Sequence, residues 1–212
     1  MTEAARIAVL DYGIGNLRSA EKALQHVGAD ARLVTDAASV EAADAVVLPG
    51  VGAFGACARA LRDSGLEGPA RAAIEASVPF FGVCVGFQLL YEDSVESPGA
   101  RGLGIFPGTV SPLPSGVKHP QMQWNTLDVC EDAEPAPAPL HGLGPHPWVY
   151  FVHSFAPPVG AETVAVCDYG GPVAALASRG PLWGAQFHPE KSGVVGLSLL
   201  ANFVALASAV VA

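Results

Sequence analysis

The sequence predicts an α/β protein: a mostly parallel central sheet with helices on both faces, plus a small antiparallel sheet. Three observations carry that prediction. Before Cys84, short β-rich apolar runs alternate with stretches whose apolar residues recur at helical spacing. After Gly102, Pro and Gly become frequent and short β-like runs follow one another closely. Between the two regions, Phe80-Phe-Gly-Val-Cys-Val-Gly-Phe-Gln-Leu-Leu-Tyr91 passes from an apolar run straight into a helix-like pattern, with Cys84 at the turn.

The elements follow in chain order. Ile7 to Leu10 reads as a buried strand ending in the loop Asp11-Tyr-Gly-Ile-Gly-Asn16. Leu17, Ala20, Leu24 and Val27 mark a helix, and Ala31 to Val34 a second strand. Val46 to Leu48 reads as a third strand, stopped by Pro49-Gly-Val-Gly52. Ala53 to Leu61 and Ala70 to Ala76 read as helices, and Phe80 to Val83 as the next strand. Repeated strand–loop–helix units imply parallel strands joined by crossovers. Further on, Trp124 to Val129, Trp148 to Val152, Thr163 to Val166, Val173 to Ala177 and Leu182 to Phe187 suggest antiparallel hairpins laid against the main sheet. Glu131 to Pro139 reads as an exposed loop of extended character, not a domain boundary, and Gly196 to Ala209 as a closing helix. We expect one domain over residues 1–212.

Composition narrows the function. Half of the 212 residues are hydrophobic and 15% are charged, which argues for a compact core and against disorder. The net charge is −9 and the Lys and Arg are scattered, so no nucleic-acid docking face is expected. No apolar run is long enough to span a membrane and no leader pattern opens the chain. The four Cys show no metal-type spacing, so no metal site is expected. Wide separation of the Cys fits reduced thiols and a cytoplasmic protein, with Cys57, Cys130 and Cys167 as small buried or half-buried residues.

Cys84 differs from the other three. Gly82 and Gly86 flank it in a G-x-C-x-G pattern, which makes room for a strained strand-to-helix turn presenting a nucleophile. The amino end of the following helix would bias the thiol toward thiolate. A thiol nucleophile needs a base. Among six His, His26 falls on a helix and His119, His141 and His146 in Pro/Gly-rich loops, where surface roles are the default. His153 ends an apolar run. His188 lies just past a strand end, with Glu190 two residues on. That carboxylate can orient one imidazole nitrogen and aim the other at the thiol, giving a triad of Cys84, His188 and Glu190. The Gly-rich turn Pro49 to Gly52 offers backbone N–H groups for an oxyanion.

Gly82-Val-Cys-Val-Gly86 with Gln88, Pro49-Gly-Val-Gly52 and His188-Pro-Glu190 resemble the class I (triad-type) glutamine amidotransferases, across essentially the whole chain. Asp11-Tyr-Gly-Ile-Gly-Asn-Leu-Arg-Ser19, Lys118-x-Pro-x-Met-x-Trp-Asn125 and Tyr150-Phe-Val-His-Ser-Phe155 look like stretches of the glutaminase subunits of imidazole glycerol phosphate synthases, in histidine biosynthesis. The resemblance implies the flavodoxin-like amidotransferase fold and hydrolysis of glutamine through a glutamyl thioester on Cys84. It further implies oxyanion donors at the backbone of Val51 and Val85, and glutamine contacts from Gly52, Gln88, Glu96, Ser154 and Phe155. It implies no cofactor. The partner it implies is a cyclase subunit with a (β/α)8 barrel, in a 1:1 heterodimer, which receives the ammonia and makes imidazole glycerol phosphate and aminoimidazole carboxamide ribotide. Asp11, Asn16, Lys118, Trp124, Asn125, Tyr150 and Lys191 match positions that face or border that partner.

The chain departs from the pattern in places. Gln121 and Gln123 stand where His and Gly are usual, Phe87 where Met is common, and Phe155 where Tyr is frequent. Two other readings compete: the glutaminase subunit of another pathway, against which the Asp11 to Ser19 stretch argues, and a non-catalytic partner on the same fold, against which the intact triad argues. An elbow Cys could also belong to a peptidase or γ-glutamyl hydrolase, but no feature here favours a peptide groove.

Overall fold

The computed structural model describes residues 4–130 and 138–211. β1 (Arg6–Leu10) leads through α1 (Leu17–His26) to β2 (Asp30–Val34), and α2 (Ala37–Glu41) leads on to β3 (Ala45–Gly50). α3 (Phe54–Asp63) and α4 (Glu67–Glu75) precede β4 (Phe80–Cys84), which turns directly into α5 (Val85–Gln88). β1, β3 and β4 are buried along almost their whole length. That is why they read as unbroken apolar runs and not as alternating ones.

Downstream come β5 (Asp93–Ser94), β6 (Thr109–Pro112), β7 (Gln121–Thr126), β8 (Asp128–Val129), β9 (Trp148–His153) and β10 (Phe155–Ala156). β11 (Thr163–Asp168), β12 (Pro172–Arg179), β13 (Leu182–Ala185) and α6 (Gly193–Val211) close the fold. The main sheet has eight strands in the order β2-β1-β3-β4-β13-β12-β11-β8. Neighbours from β2 to β13 pair in parallel and those from β13 to β8 antiparallel. β10, β6 and β5 form one small sheet, and β7 and β9 an antiparallel ribbon.

The strand order positions the site. The chain steps from β1 to β2 in one direction and then to β3 and β4 in the other. Right-handed crossovers therefore put α1 on one face and α2 to α4 on the opposite face. α1 packs on α6, while α2 and α3 both pack on α4. The order reverses between β1 and β3, so a crevice opens at the carboxyl ends of these strands. The loops after β1, β3, β4 and β13 meet there. The strands that carry Cys84 and precede His188 are fixed from behind, where Phe81, Trp183 and Phe203 of α6 pack edge-on or tilted at 5.4–6.2 Å between ring centroids.

Four sequence expectations change. β3 does not stop at Leu48: its pairing with β4 continues through Pro49 to Gly50. Trp124 to Val129 is two strands in different sheets, because β7 pairs with β9 and β8 joins the edge of the main sheet. The β11–β12–β13 meander extends the main sheet itself and does not lie against it. The helix after the elbow is a single turn, after which the chain folds back through hydrogen bonds from Leu103 N and Ile105 N to Leu89 O and Leu90 O. The short helix α2, capped by Asp36 on Ser39 N, carries no apolar periodicity and was not expected. Of the loop expected from Glu131 to Pro139, residues 131–137 lie outside the described residues, and Ala138–Leu140 forms a 3-10 turn.

The elbow depends on one close approach. A Cβ on Gly86 would collide with the Leu48 carbonyl oxygen. Gly86→Ala should therefore cost about 2–4 kcal/mol by overpacking against immobile backbone. Gly68→Ala in α4, where a Cβ meets open space, should be neutral or add up to about 1 kcal/mol. Urea unfolding of both variants checks the contrast.

Candidate active site

Cys84 ends β4 at φ 55° and ψ −112°, a left-handed backbone that a non-glycine residue occupies only under constraint. Its side chain is 4% exposed, at the carboxyl edge of the sheet. The register sets Gly50 of β3 opposite it. α5 has four residues, too few for a helix dipole of consequence, so charge on the thiol must be set by its neighbours.

His188 supplies that neighbour. It is buried, and the Cys84 side chain and Glu190 both engage it. Glu190 Oε1 lies 2.9 Å from His188 Nδ1, and both side chains are almost wholly inaccessible. Burial opposes a charge on His188. The hydrogen bonds and charges of Cys84 and Glu190 outweigh it and push the imidazole up to about 10. Burial likewise opposes charge on Glu190, and its bond to His188 more than offsets this, holding the carboxyl below its usual range. Asn16 donates its amide to the same Oε1 at 3.2 Å, giving that oxygen a second donor. The three groups form a charged, hydrogen-bonded relay of the kind that activates a thiol.

A cavity of about 300 Å³ opens onto Cys84. Val51, Gly52, Val85, Gln88, Glu96, Ser154, Phe155 and His188 line it, together with Lys191. All the residues expected to contact glutamine thus converge. Val85 is the first residue of α5, where backbone N–H groups have no helical partner. Gln88 Nε2 bridges Phe155 O at 2.9 Å and Gln186 Oε1 at 3.0 Å. Glu96 Oε2 accepts from Phe54 N at 2.7 Å, tying the cavity wall to the start of α3.

The residues expected at a partner surface divide. Trp124 is 48% exposed and meets the half-buried Tyr150 edge-on at 6.1 Å. The two are cross-strand partners on the outward face of the β7–β9 ribbon. Lys191 is exposed at the cavity rim, and Lys118 is exposed with its carbonyl bonded to Tyr169. Asp11 caps its own loop through Gly13 N. Asn125 alternates away from Trp124 and bonds Asp168 O. Asn16 reaches inward to Glu190.

Sequence reasoning missed several residues. Gln186 is fully buried and its amide reaches Cys84 Sγ at 3.8 Å. It lies two residues before His188, and that extended spacing was a usable signal. Met122 and Trp148, 62% and 57% exposed, share the outer ribbon face with Trp124 and Tyr150, as period-two alternation from either aromatic would have shown. Ser192 accepts from Tyr150 N and donates to His188 O, with nothing in the sequence to mark it. The departures settle into place as well. Gln121 is fully buried beside Cys167, Gln123 is exposed, and Phe87 packs in the core against Tyr91.

Fold and site together define a thiol-dependent amidotransferase type of protein. The family model for class-I glutamine amidotransferases matches residues 8–207. Imidazole glycerol phosphate synthase subunit HisH of Deinococcus radiodurans is 47% identical over 94% of this chain and 93% of its own. The protein of that name from Rhodospirillum rubrum is 46% identical, over 94% and 98%. The one from Methanothermobacter thermautotrophicus is 45% identical, over 93% and 97%. A crystallised glutamine amidotransferase superposes with a TM-score of 0.74 at 24% identity, over 95% of this chain and 98% of that one, which speaks for the fold alone. The chain belongs to the class-I glutamine amidotransferases and, within them, to the HisH subunits of imidazole glycerol phosphate synthase.

Among the described residues, no group of three or more His, Cys, Asp or Glu is placed to hold a metal, and no helix is long and apolar enough to cross a membrane.

Two titrations test the electrostatics. His188 should stay protonated well above pH 7 by NMR, and Cys84→Ala should lower its pKa by removing a partner that raises it. His153, 6% exposed at the cavity wall, is pushed down to about 4, first by burial and then by the charge of His188, against a bond to Phe155 O. The unfolded chain takes up this proton near pH 6.5 and the folded chain only near 4. Stability should therefore fall as pH drops through that window, by up to about 3 kcal/mol. Denaturant melts from pH 7 to 4 should show a shallower decline for His153→Gln.

Proposed function

We propose that this chain, working as a single amidotransferase domain, hydrolyses glutamine with Cys84 as nucleophile, His188 as acid and base, and Glu190 as its orienting carboxylate. The observation that carries the reading is the buried relay from Cys84 through His188 to Glu190 at the mouth of the cavity. The thiolate attacks the side-chain carbonyl carbon of glutamine. The N–H groups of Val51 and Val85 receive the oxyanion. Protonated His188 gives its proton to the departing nitrogen, and ammonia leaves a glutamyl thioester. Neutral His188 then takes a proton from water, hydroxide attacks the thioester, and glutamate departs as the thiolate returns beside imidazolium. Gly52, Gln88, Glu96, Ser154 and Phe155 hold the rest of the amino acid.

The ammonia passes to a cyclase subunit. HisH relatives are named as subunits of a synthase, so a second subunit completes the reaction. Our reading is a 1:1 heterodimer with a (β/α)8-barrel cyclase, in the cytoplasm, making imidazole glycerol phosphate and aminoimidazole carboxamide ribotide. The docking face we assign is the outer side of the β7–β9 ribbon, where Met122, Trp124, Trp148 and Tyr150 present apolar and aromatic surface close to Lys191 and the cavity mouth. Aromatic anchors of this kind suit an interface. The resemblance also sets Lys118, Asn125, Asp11 and Asn16 at or beside the surface that meets the partner.

Cys84→Ala should lower glutamine turnover at least about 1,000-fold, because the nucleophile is gone, while binding to the cyclase survives. Ammonia release measured with the cyclase and its ligand tests the first half, and co-elution of the variant with the cyclase tests the second. Retained turnover in the variant would remove the nucleophile assignment. Stimulation by another glutamine-dependent synthase in place of the cyclase would remove the partner.

A further inference from the structure

The turn from Pro49 to Gly52 is held by two buried side chains that the mechanism does not use. Tyr12, in the loop after β1, is 5% exposed and donates its hydroxyl to Pro49 O at 2.6 Å. Cys57, in α3, is fully buried and directs its thiol at Val51 O, 3.2 Å away. The hydroxyl and the thiol also face each other. Burial is the main cause that pushes both groups up from their ordinary pKa, so both keep their protons at neutral pH and serve as donors.

Peptide planarity gives these two bonds a consequence. In a trans peptide the C=O and N–H point in opposite directions. Fixing the carbonyl of Pro49 fixes the N–H of Gly50, and fixing the carbonyl of Val51 fixes the N–H of Gly52. The Gly50–Val51 peptide lies between them and carries the N–H assigned to the oxyanion. Glycine at 50 and 52 gives this turn backbone freedom, and Gly52 sits at φ 84°. That peptide turns about the ψ of Gly50 and the φ of Val51, so bonds to the planes on either side of it fix both of its ends. Space at Gly50 is tight: a Cβ there would lie 2.9 Å from the Tyr12 hydroxyl and 2.7 Å from Gly86 N of the elbow.

We propose that Tyr12 and Cys57 are positioning residues for glutamine hydrolysis, forming a two-point latch that holds the Pro49–Gly52 turn with the Val51 N–H aimed at the oxyanion. The inference deepens the glutaminase reading and rests on it. Tyr12 belongs to the same loop as Asn16, which holds Glu190. One loop therefore grips both the oxyanion turn and the triad carboxylate.

The test uses the full chain with its cyclase and the cyclase ligand. Tyr12→Phe removes one hydroxyl and keeps the ring. It should lower kcat at least tenfold with KM within twofold, because the lost interaction belongs to the transition state. Alkylation of Cys84 by iodoacetamide, followed at that residue by mass spectrometry, should keep its wild-type rate, since the thiol and His188 are untouched. Cys57→Ala should behave like Tyr12→Phe, and Cys57→Ser, which keeps a donor, should recover most of the rate. Wild-type kcat in both Tyr12→Phe and Cys57→Ala overturns the latch. So does a Cys57→Ser variant as slow as Cys57→Ala, or a loss of kcat accompanied by an equal loss of Cys84 alkylation. A wild-type chain without glutaminase activity overturns the latch and the glutaminase reading together. An active wild type with an unaffected Tyr12→Phe and Cys57→Ala overturns the latch alone.

Discussion

The site depends on the parallel pairing of β3 with β4. This register sets Gly50 opposite Cys84, so the turn after one strand and the elbow after the next leave the sheet side by side. Gly86 can then lie against the Leu48 carbonyl, where no side chain fits. The elbow is strained at Cys84 itself, and strain of this sort costs about 1–3 kcal/mol. The compensation comes from apolar packing. Phe81 and Trp183 sit on the two strands beside the elbow, and Phe203 of α6 closes over both. Geometry at the thiol is thus fixed by a core whose nearest members lie three to five residues from the reacting groups.

Buried charge is the second constraint. The His188 and Glu190 side chains are nearly as inaccessible as the aromatic core, and an ion pair in that setting loses more to desolvation than a surface pair does. It persists here because both groups hold further partners. Cys84 and Glu190 take the two sides of His188, while Asn16 adds a donor to Glu190. Gln88, Gln186 and Phe155 O form a second buried chain that ends on Cys84 Sγ. The cavity wall is therefore a hydrogen-bonded lattice, in which removal of one member leaves another buried group unsatisfied.

The parts legible in the sequence were those set by local pattern. Buried parallel strands announce themselves as apolar runs, and the elbow by Gly at both flanks of Cys84. His188 and Glu190 share one short segment, so their geometry is nearly local. Residues that act by reaching across the fold were not legible. Tyr12 acts on Pro49 and Asn16 on Glu190, 37 and 174 residues away, and no periodicity records such pairs. Gln186 carried one local signal, its extended spacing two residues before His188, but its reach to Cys84 emerges only when β13 is set beside β4. The split of Trp124 to Val129 into two strands was hidden for a different reason. It reflects which partner each half finds, β9 or β11, and propensity is the same for both.

β9 shows how the outside of such a molecule is bound to its chemistry. Its outward residues, Trp148 and Tyr150, belong to the exposed aromatic face, while Val149, Phe151 and His153 point inward and are buried. The backbone of Tyr150 is tied to the base by three bonds. Its carbonyl accepts from His188 N, its N–H donates to Ser192 Oγ, and that hydroxyl donates to His188 O. The residue whose ring stands on the exposed aromatic face is hence the hydrogen-bonded neighbour of the proposed base. A displacement of Tyr150 along its strand cannot be absorbed by side-chain rotation, because the ties are to main chain. It must either break those bonds or carry His188 with it. The proposed base rests on this main-chain staple under the exposed face, while the Asp11–Asn16 loop holds the Pro49–Gly52 turn through Tyr12 and Glu190 through Asn16. Cys84, anchored in the sheet, is the fixed point between them.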